Sequence, residues 1–361
     1  MQVGLNKAEL DTPVLWVDLE ALEDNITHLA GYFRAAGVEW RPHAKGIKVP
    51  AIAHLALDAG ALGVTCAKLG EAEVMAAAGI RDILIANQIV GQLKIARLVS
   101  LRRHADVKVA VDNAANIAAL SRAATERGVE LGVVVEVDIG LLRAGVAPGP
   151  PAVELSRLVH GTPGLHYLGL MGWEGHARRI EDAEKRRPVI EEAIGQLTDT
   201  ADACRQAGLP VRIVSAGGTG TYYVTAHLPG VTEIQAGGAI FGEAASQHWG
   251  VDTAPALFVR TLVTSRPAPD RIVVDAGFKA LPAWHTAPEA VCLTGVVSFA
   301  TSAEHGTLTL EAPNHTLEVG DTLDFLVGYG DETVCLHDTL LGLRDGRVET
   351  VWPIQGRGKV R

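Results

Sequence analysis

Cysteine is scarce in this sequence, which has four in 361 residues and no CxxC spacing among them. The cysteines are widely scattered, so the sequence suggests neither a disulfide framework nor a zinc knuckle. We predict buried, reduced thiols instead. The four residues are Cys66, Cys204, Cys292 and Cys335.

Positive charge and long apolar runs are also missing. The formal net charge is −10 and no block of lysines and arginines occurs, which argues against the basic face that nucleic-acid-binding proteins present to phosphates. No apolar run reaches the roughly 18 residues that a membrane-spanning helix needs. Residues 1–13 lack the basic start and apolar core of a signal peptide. We therefore expect an acidic, cytoplasmic enzyme with a small-molecule substrate.

Residues 13–250 alternate short β-branched runs with segments of helical period, which is typical of βαβ units joined into a parallel sheet. After an opening run, TPVLWVDL, the sequence contains eight strand-like runs, the number that closes a (β/α)8 TIM barrel. They are VEWRPHA, LGVTCA, DILIAN, VKVAVD, LGVVVEVD, LHYLGLMGW, VRIVSAGG and TEIQAGG.

The pattern changes after residue 250. Residues 251–361 consist of short alternating runs separated by Gly, Pro and Asp, which predicts a C-terminal antiparallel β domain. The opening run is surplus to the barrel, so we expect residues 1–20 to join the β domain. The predicted fold class is α/β, a TIM barrel followed by a β domain.

Lys45 follows the first barrel strand in the segment RPHAKGIK. Catalytic groups of TIM barrels lie at the carboxyl ends of the strands. Lys45 stands there among Arg41, His43 and Lys48, a polar cluster with little reason to lie in a core. On this segment alone, a solvated basic turn accounts for the same residues equally well.

Both loops that commonly hold a phosphate in such barrels are rich in glycine. Residues 215–221, SAGGTGT, end the seventh barrel strand, and residues 235–238, QAGG, end the eighth. Backbone N–H groups at such turns bind anions, and glycine lets the anion approach the backbone. Two such loops at the expected places favour a phosphate site.

Arg143 lies on the loop after the fifth barrel strand, within EVDIGLLRAGV. A fixed guanidinium at this end of a barrel holds a phenolate or a carboxylate. The alternative is a surface ion pair with Glu136 or Asp138, and the segment alone favours that alternative.

Several segments together resemble the D-threonine aldolase and D-serine dehydratase family, nearly from end to end. They are RPHAKGIK, EVDIGLLRAGV, GLMGWEGHA, SAGGTGTYY, EIQAGGAIF, VVDAGFKA, EHGTLTL and LHDTLLGLRDGRVETVWPIQGRGKVR. The resemblance implies a fold-type III enzyme, related to alanine racemase, that binds pyridoxal 5′-phosphate (PLP). It further implies D-amino acid substrates and a homodimer.

By this resemblance, Lys45 carries the cofactor, and Arg143 lies near the cofactor's phenolic oxygen and the substrate. PLP withdraws electrons from the substrate's Cα, which allows loss of a proton or cleavage of the Cα–Cβ bond. The predicted cofactor-binding residues are Lys45, His43, Arg143, Trp173, Ser215, Gly217, Gly218, Thr219, Gly220, Gln235, Gly237 and Gly238.

The chain departs from the family near its C-terminus. Members that break bonds at Cβ commonly carry a His-x-Asp or His-x-Cys pair that binds a divalent metal, and the matching positions here hold Tyr329 and Asp331. A phenol, with a reference pKa of about 10, is a poor ligand for Mg²⁺ or Mn²⁺ at neutral pH, whereas a carboxylate is a good one. We predict Asp331 as a metal ligand with no assigned partner, in a weak or rearranged site.

The leading hypothesis for function is a D-3-hydroxyamino acid aldolase that releases glycine and an aldehyde. D-Threonine, phenylserine-type compounds and 3-hydroxyaspartate all fit as substrates. Asp331, directly or through a metal-bound water, would favour the alkoxide, with Tyr329 or His176 as proton-transfer partners. The alternatives are a D-serine or D-3-hydroxyaspartate dehydratase, an amino-acid racemase using Lys45 and Tyr329, and a non-catalytic PLP-binding protein.

Overall fold

The structure is a computed structural model that describes residues 2–361. Its strands are β1 (Val14–Asp18), β2 (Glu39–Trp40), β3 (Val64–Cys66), β4 (Asp82–Gln88), β5 (Asp106–Val111), β6 (Leu131–Glu136), β7 (Leu165–Met171), β8 (Ile213–Ala216), β9 (Glu233–Ile234), β10 (Leu257–Ala268), β11 (Arg271–Val274), β12 (Glu289–Ala290), β13 (Val296–Thr301), β14 (Gly306–Leu310), β15 (Thr322–Leu326), β16 (Thr339–Arg344) and β17 (Arg347–Pro353). Its α-helices are α1 (Leu19–Ala36), α2 (Pro50–Asp58), α3 (Leu69–Ala77), α4 (Gln92–Leu101), α5 (Ala114–Arg127), α6 (Pro150–His160), α7 (Ala183–Gln206), α8 (Tyr222–Thr225), α9 (Ala244–His248) and α10 (Gly330–Thr333). Short 3₁₀ turns cover Lys7–Glu9, Gly175–Arg179, Gly238–Phe241 and Val334–Leu336.

The chain divides into two compact units, and the division does not follow sequence order. The barrel unit consists of Leu29–Lys45, Ile52–Gly237 and Lys359–Arg361. The sheet unit consists of the residues up to His28, Gly46–Ala51 and Gly238–Gly358. The sequence-based domains, 13–250 and 251–361, stay a prediction. Among the described residues, no helix combines the length and the apolar composition that crossing a membrane requires.

The barrel unit contains one parallel sheet of eight strands in the order β2-β9-β8-β7-β6-β5-β4-β3. The two end strands are joined by the segment that follows β2. Ala44 N donates to Thr65 O at 2.7 Å, Thr65 N donates to Pro42 O at 3.0 Å, and His43 forms a parallel bridge with Thr65. The segment just before Lys45 therefore closes the ring. The eight predicted barrel strands are confirmed.

Burial on both faces explains the apolar runs of the barrel strands. All six residues of β6 are buried, as expected of a parallel strand with a covered outer face. Capping residues mark the ends of an outer helix. At α5, the Asn113 side chain accepts a hydrogen bond from Asn116 N at 2.9 Å, and Gly128 ends the helix with a φ of 64°.

The sheet unit contains a second, mostly antiparallel sheet in the order β13-β14-β11-β10-β1-β16-β17, with β15 paired to both β10 and β12. The opening run, surplus to the barrel, forms β1 of this sheet, antiparallel to β10 and parallel to β16. Trp16 of β1 stacks on Phe258 of β10 with ring centroids 4.5 Å apart. Its indole Nε1 donates to Asp324 Oδ1 at 3.0 Å, so the polar atom of this largely buried ring is satisfied.

All four cysteines are free thiols. Cys66 in β3 and Cys204 in α7 are buried, as predicted. Cys292 is exposed and Cys335 is partly exposed, so the prediction of burial is wrong for these two. Cys292 lies in the connection between β12 and β13, and Cys335 lies in the 3₁₀ turn Val334–Leu336.

Arg41 corrects the interpretation of the segment RPHAKGIK. Its side chain is 1% exposed, so this member of the polar cluster does lie in the core. Arg41 Nε donates to both carboxylate oxygens of Glu233 at 3.1 Å, and its guanidinium also pairs with Asp82. Asp82 and Glu233 are the first residues of β4 and β9, so Arg41 serves the amino ends of the strands, where side chains contribute to stability rather than catalysis.

We expect Arg41→Met to lower the free energy of unfolding by about 3–5 kcal/mol, because Glu233 is left as a buried charge without its cation. Asp82 keeps Lys108, whose Nζ lies 2.7 Å from Oδ1. Urea denaturation of the cofactor-free protein measures the change. Lys279→Met, which removes an exposed pair with Glu304, is the control, with an expected loss below about 1 kcal/mol. Equal losses in the two variants would contradict the buried-charge explanation.

Candidate active site

The predicted site residues of the barrel unit cluster at the carboxyl ends of its strands. Because the strands are parallel and the ring is closed, these ends meet at one rim. In strand order, Lys45 follows β2, Arg143 follows β6, Trp173 and His176 follow β7, Ser215 lies near the end of β8, and Gln235 and Gly237 follow β9.

Trp173 lies at the centre of this group. Three cations face its ring, with Lys45 Nζ at 5.3 Å, Arg143 Cζ at 5.2 Å and Arg178 Cζ at 4.8 Å from the ring centroid. The negative face of an indole attracts cations, yet three like charges so close together also repel one another. The arrangement therefore favours a bound anion. Arg178 was not predicted, although the basic run GHARR after a barrel strand is a signal that points to it.

His43 fixes the backbone at Lys45. Lys45 N donates to His43 Nδ1 at 3.3 Å. The backbone of His43 packs so closely on Gly237 that a Cβ atom there would collide with it. This close approach gives Gly237 a structural reason to be glycine, separate from the phosphate contact predicted for it.

The glycine loop after β8 turns tightly against Trp173. Gly217 has a φ of 77°, which favours glycine, and a Cβ atom on Gly218 would lie 2.8 Å from Trp173 Nε1. Gly218 N donates to Thr221 Oγ1 at 3.0 Å. The structure thus brings residues 217–221 to the ring that Lys45 and the arginines face.

Two polar side chains, Glu174 and Gln235, form hydrogen bonds that hold residues 215–221 in place. Glu174 is fully buried and accepts hydrogen bonds from Thr225 Oγ1 at 2.6 Å and from Gly217 N at 3.4 Å. Gln235 Nε2 donates to Ser215 Oγ at 2.8 Å. Glu174 was missed in the sequence analysis. Its position inside GWEGHA gave no sign of whether the carboxylate would point to solvent or to the loop.

The ion pair considered as an alternative for Arg143 is present. Arg143 Nη2 lies 3.7 Å from Glu136 Oε1, but the side chain of Arg143 is 55% exposed and that of Glu136 is 5% exposed. Burial raises the pKa of the Glu136 carboxyl, although a hydrogen bond from Gln88 Nε2 at 2.5 Å and the charge of Arg143 act against this. Arg143 is therefore only loosely paired and keeps an exposed face at the rim.

His176 packs on the loop that carries Arg143. A Cβ atom on Gly140 would lie 2.9 Å from His176 Cε1. Its Nδ1 is buried and finds no hydrogen-bond partner among residues 2–361. Buried polar atoms are nearly always satisfied, so such an atom at a candidate site points to a group that binds there.

Tyr329 and Asp331 belong to the sheet unit and contact each other. Tyr329 OH donates to Asp331 Oδ2 at 2.8 Å. The other oxygen, Asp331 Oδ1, lies against Gly46, where a Cβ atom would be 2.5 Å away. Gly46 follows Lys45 directly in the chain. Within residues 2–361 no group of three or more His, Cys, Asp or Glu side chains is placed to hold a metal ion, so the metal site predicted at Asp331 stays a prediction.

Family models match both parts of the chain. The model described as "alanine racemase, N-terminal domain" matches residues 17–245. The model described as "putative serine dehydratase domain" matches residues 256–343.

Curated relatives cover almost the whole chain. A 3-hydroxy-D-aspartate aldolase of Paracoccus denitrificans is 36% identical over 99% of this chain and 94% of its own length. A D-threonine aldolase of an Arthrobacter species is 36% identical over 99% of this chain and 95% of its own. A D-threo-3-hydroxyaspartate dehydratase of a Delftia species is 33% identical over 75% of this chain and 73% of its own.

Solved structures agree with these relatives. The crystal structure of D-threonine aldolase from Filomicrobium marinum superposes with a TM-score of 0.97 at 35% identity and covers 100% of both chains. A Cys-to-Ala mutant of D-threo-3-hydroxyaspartate dehydratase in the metal-free form superposes with a TM-score of 0.87 at 28% identity, over 97% of this chain and 98% of that one.

We expect Glu136→Gln to raise the melting temperature at about pH 7 and to change it less at about pH 4. Burial raises the folded-state pKa of Glu136 above the reference value of about 4.3, so stability falls as the pH rises through the interval between the two values. Glutamine removes that loss and still offers an oxygen to Gln88. Calorimetry at both pH values measures the effect, with Glu304→Gln at an exposed carboxylate as the control. A lower melting temperature of Glu136→Gln at neutral pH would show that the anion stabilises the fold.

Proposed function

We propose that this chain is a PLP-dependent D-3-hydroxyamino acid aldolase. It belongs to the family that joins an alanine racemase N-terminal domain to a putative serine dehydratase domain. The reaction cleaves the substrate's Cα–Cβ bond and releases glycine and an aldehyde. The observation that carries the proposal is the amine of Lys45 at the barrel rim, facing the same indole ring as Arg143 and Arg178. The longer and closer match to two aldolases than to the dehydratase supports cleavage rather than elimination.

The residues of the barrel unit fit PLP. Lys45 supplies a primary amine, which is the group that binds the cofactor's aldehyde. The cations around Trp173 suit an anionic ligand, and the buried, unsatisfied Nδ1 of His176 marks a place for a polar one. We assign Arg143 to the phenolic oxygen or the substrate's carboxylate. The proposed phosphate-binding and flanking residues are His43, Trp173, Ser215, Gly217, Gly218, Thr219, Gly220, Gln235, Gly237 and Gly238.

When bound, PLP supplies an electron sink that makes cleavage at Cα feasible. Residues of the chain bind and orient the substrate and accept its proton. Arg143 holds an anionic oxygen by charge-assisted hydrogen bonds, which orients the substrate. Glu174 and Gln235 keep the glycine loop in its turn. The β-hydroxyl must lose its proton as the Cα–Cβ bond breaks, and Asp331, beside the chain neighbour of Lys45, is our candidate to accept it.

A dehydratase is the second candidate, supported by the Delftia relative. It would use Lys45 as the base at Cα and expel the β-hydroxyl. The racemase alternative has weaker support, because alanine racemases of known structure share the fold at only 13–16% identity. A role as a non-catalytic PLP carrier leaves the sheet unit without a purpose. We further propose, from the family resemblance alone, that the protein is a cytoplasmic homodimer.

Lys45→Ala is expected to abolish covalent attachment of PLP. After borohydride reduction of the wild-type protein loaded with PLP, peptide mass spectrometry should find a pyridoxyl adduct on Lys45, because reduction fixes the bond between amine and aldehyde. Lys279→Ala, at an exposed lysine of the sheet unit, is the matched control and should keep the adduct. If the Lys45→Ala variant carried a pyridoxyl adduct on another residue, in the yield found for the wild-type protein, Lys45 would not be the attachment site.

Incubation with D-threonine is expected to yield glycine and acetaldehyde in equal amounts. Chromatography of the derivatised products measures both. Formation of 2-oxobutanoate and ammonia would instead identify a dehydratase, and formation of an isomer of threonine would identify a racemase or epimerase. Either result would overturn the aldolase proposal.

A further inference from the structure

We infer that this chain removes the β-hydroxyl proton without a divalent metal and uses the hydrogen-bonded pair of Tyr329 and Asp331 instead. The inference rests on the proposed aldolase function, in which that proton must leave. It departs from the metal site expected from the family resemblance. Its basis is the set of donor atoms at these two residues.

The donor set does not suit a hard cation. Mg²⁺ and Mn²⁺ prefer carboxylate, carbonyl and water oxygens, and a phenol becomes a good ligand only after losing its proton. Here Tyr329 uses its hydroxyl proton in a hydrogen bond to Asp331 Oδ2 at 2.8 Å. A cation on that oxygen would have to displace the hydrogen bond. In the described part of the chain it would also find no cluster of three His, Cys, Asp or Glu side chains.

The backbone around the pair is held firmly in place. Gly330 N, between the two residues, donates to Glu243 Oε2 at 2.9 Å, and Glu243 is only 1% exposed. Thr333 Oγ1 donates to Tyr329 O at 3.0 Å. These bonds hold the backbone at the start of α10, from which the phenol and the carboxylate project.

Aromatic neighbours orient the phenol ring. The His285 ring stacks on Tyr329 with centroids 4.3 Å apart and an interplanar angle of 23°, and Trp249 meets the same ring edge-on at 6.3 Å. A second Trp249 contact, edge-on to His285 at 5.9 Å, completes the cluster. The His285 imidazole thus contributes its ring face to Tyr329 as a packing contact.

The Asp331 carboxylate lies against Gly46, the residue after Lys45. A Cβ atom on Gly46 would lie 2.5 Å from Asp331 Oδ1, so a larger residue there would push this oxygen out of its present position. Lys45 is bonded to Gly46. The carboxylate proposed as the proton acceptor therefore lies against Gly46, the residue that follows Lys45 in the chain.

A proton relay through the pair accounts for all atoms of the cleavage. The substrate's β-hydroxyl passes its proton to the Tyr329 oxygen while Tyr329 passes its own proton to Asp331. The O–Cβ bond becomes the aldehyde carbonyl, the Cα–Cβ bond breaks, and its electron pair stays with Cα. The proton held by Asp331 balances the proton that Cα takes up when glycine forms, so no oxidant, reductant or metal enters the balance.

The first test measures metal binding and does not depend on activity. PLP-loaded wild-type protein, Tyr329→Phe and Tyr329→His are dialysed against MnCl₂ and then against buffer, and bound Mn²⁺ is measured by atomic emission. We expect wild type and Tyr329→Phe to retain no more Mn²⁺ than a dialysis blank. Tyr329→His, which creates the His-x-Asp pair expected from the family, should retain more than either. Stoichiometric Mn²⁺ on the wild-type protein would overturn the inference.

The second test measures D-threonine cleavage. Wild-type kcat should be the same with EDTA and with added Mn²⁺, whereas Tyr329→Phe and Asp331→Asn should lose kcat by on the order of 10²-fold or more with little change in KM. The reduced Lys45 adduct, measured on each variant, checks that the cofactor site is intact. Loss of wild-type activity in EDTA, or full kcat in Tyr329→Phe, would overturn the inference. If no variant, wild type included, makes glycine, the proposed function fails, while the Mn²⁺ measurement still decides whether the pair holds a metal.

Discussion

The hydrogen bonds between Thr65 and the segment that follows β2 close the barrel, and the rest of the site depends on this closure. An open parallel sheet would leave two edge strands with unpaired backbone groups, and its strand ends would spread along a line. Closure removes the edges and gathers the ends at one rim. The same segment then carries Lys45 onto that rim, next to His43, whose backbone rests on Gly237. Ring formation and placement of the reactive amine are thus achieved by the same few residues.

The segment RPHAK serves both ends of the barrel. Arg41 turns to the amino ends and neutralises Glu233 and Asp82 in the core, while Lys45, four residues later, faces the indole at the carboxyl ends. Two basic residues so close in sequence thus lie at opposite ends of the barrel strands. Arg41 is surrounded by carboxylates that hold its charge in place, whereas Lys45 shares its surroundings with two arginines. The first arrangement stabilises the fold, and the second suits the binding of an anion.

Much of this was predictable from the sequence, because the signals are local. The eight barrel strands follow from apolar runs, and the glycine loops follow from spacing at strand ends. Contacts between distant residues were not predictable. Arg41 was placed in a polar turn because its partners lie 41 and 192 residues away. The hydrogen bond from Gly217 N to Glu174 joins residues that are 43 positions apart in the sequence. The hydrogen bond between Tyr329 and Asp331 depends on the rotamers of both side chains. The sequence shows only that a tyrosine stands where the family motif has histidine, and it does not show these rotamers.

The interleaving of the two units has a consequence for how such a protein is recombined. The sheet unit takes its chain from three places, and one of them, Gly46–Ala51, begins at the residue after Lys45. A chimera made by one crossover near residue 250 would join a sheet from one parent to β1 and Gly46 from the other. The carboxylate that fits against Gly46 would then meet a surface shaped for a different sequence. Crossovers on both sides of residues 46–51 would instead keep Gly46 and Asp331 from the same parent.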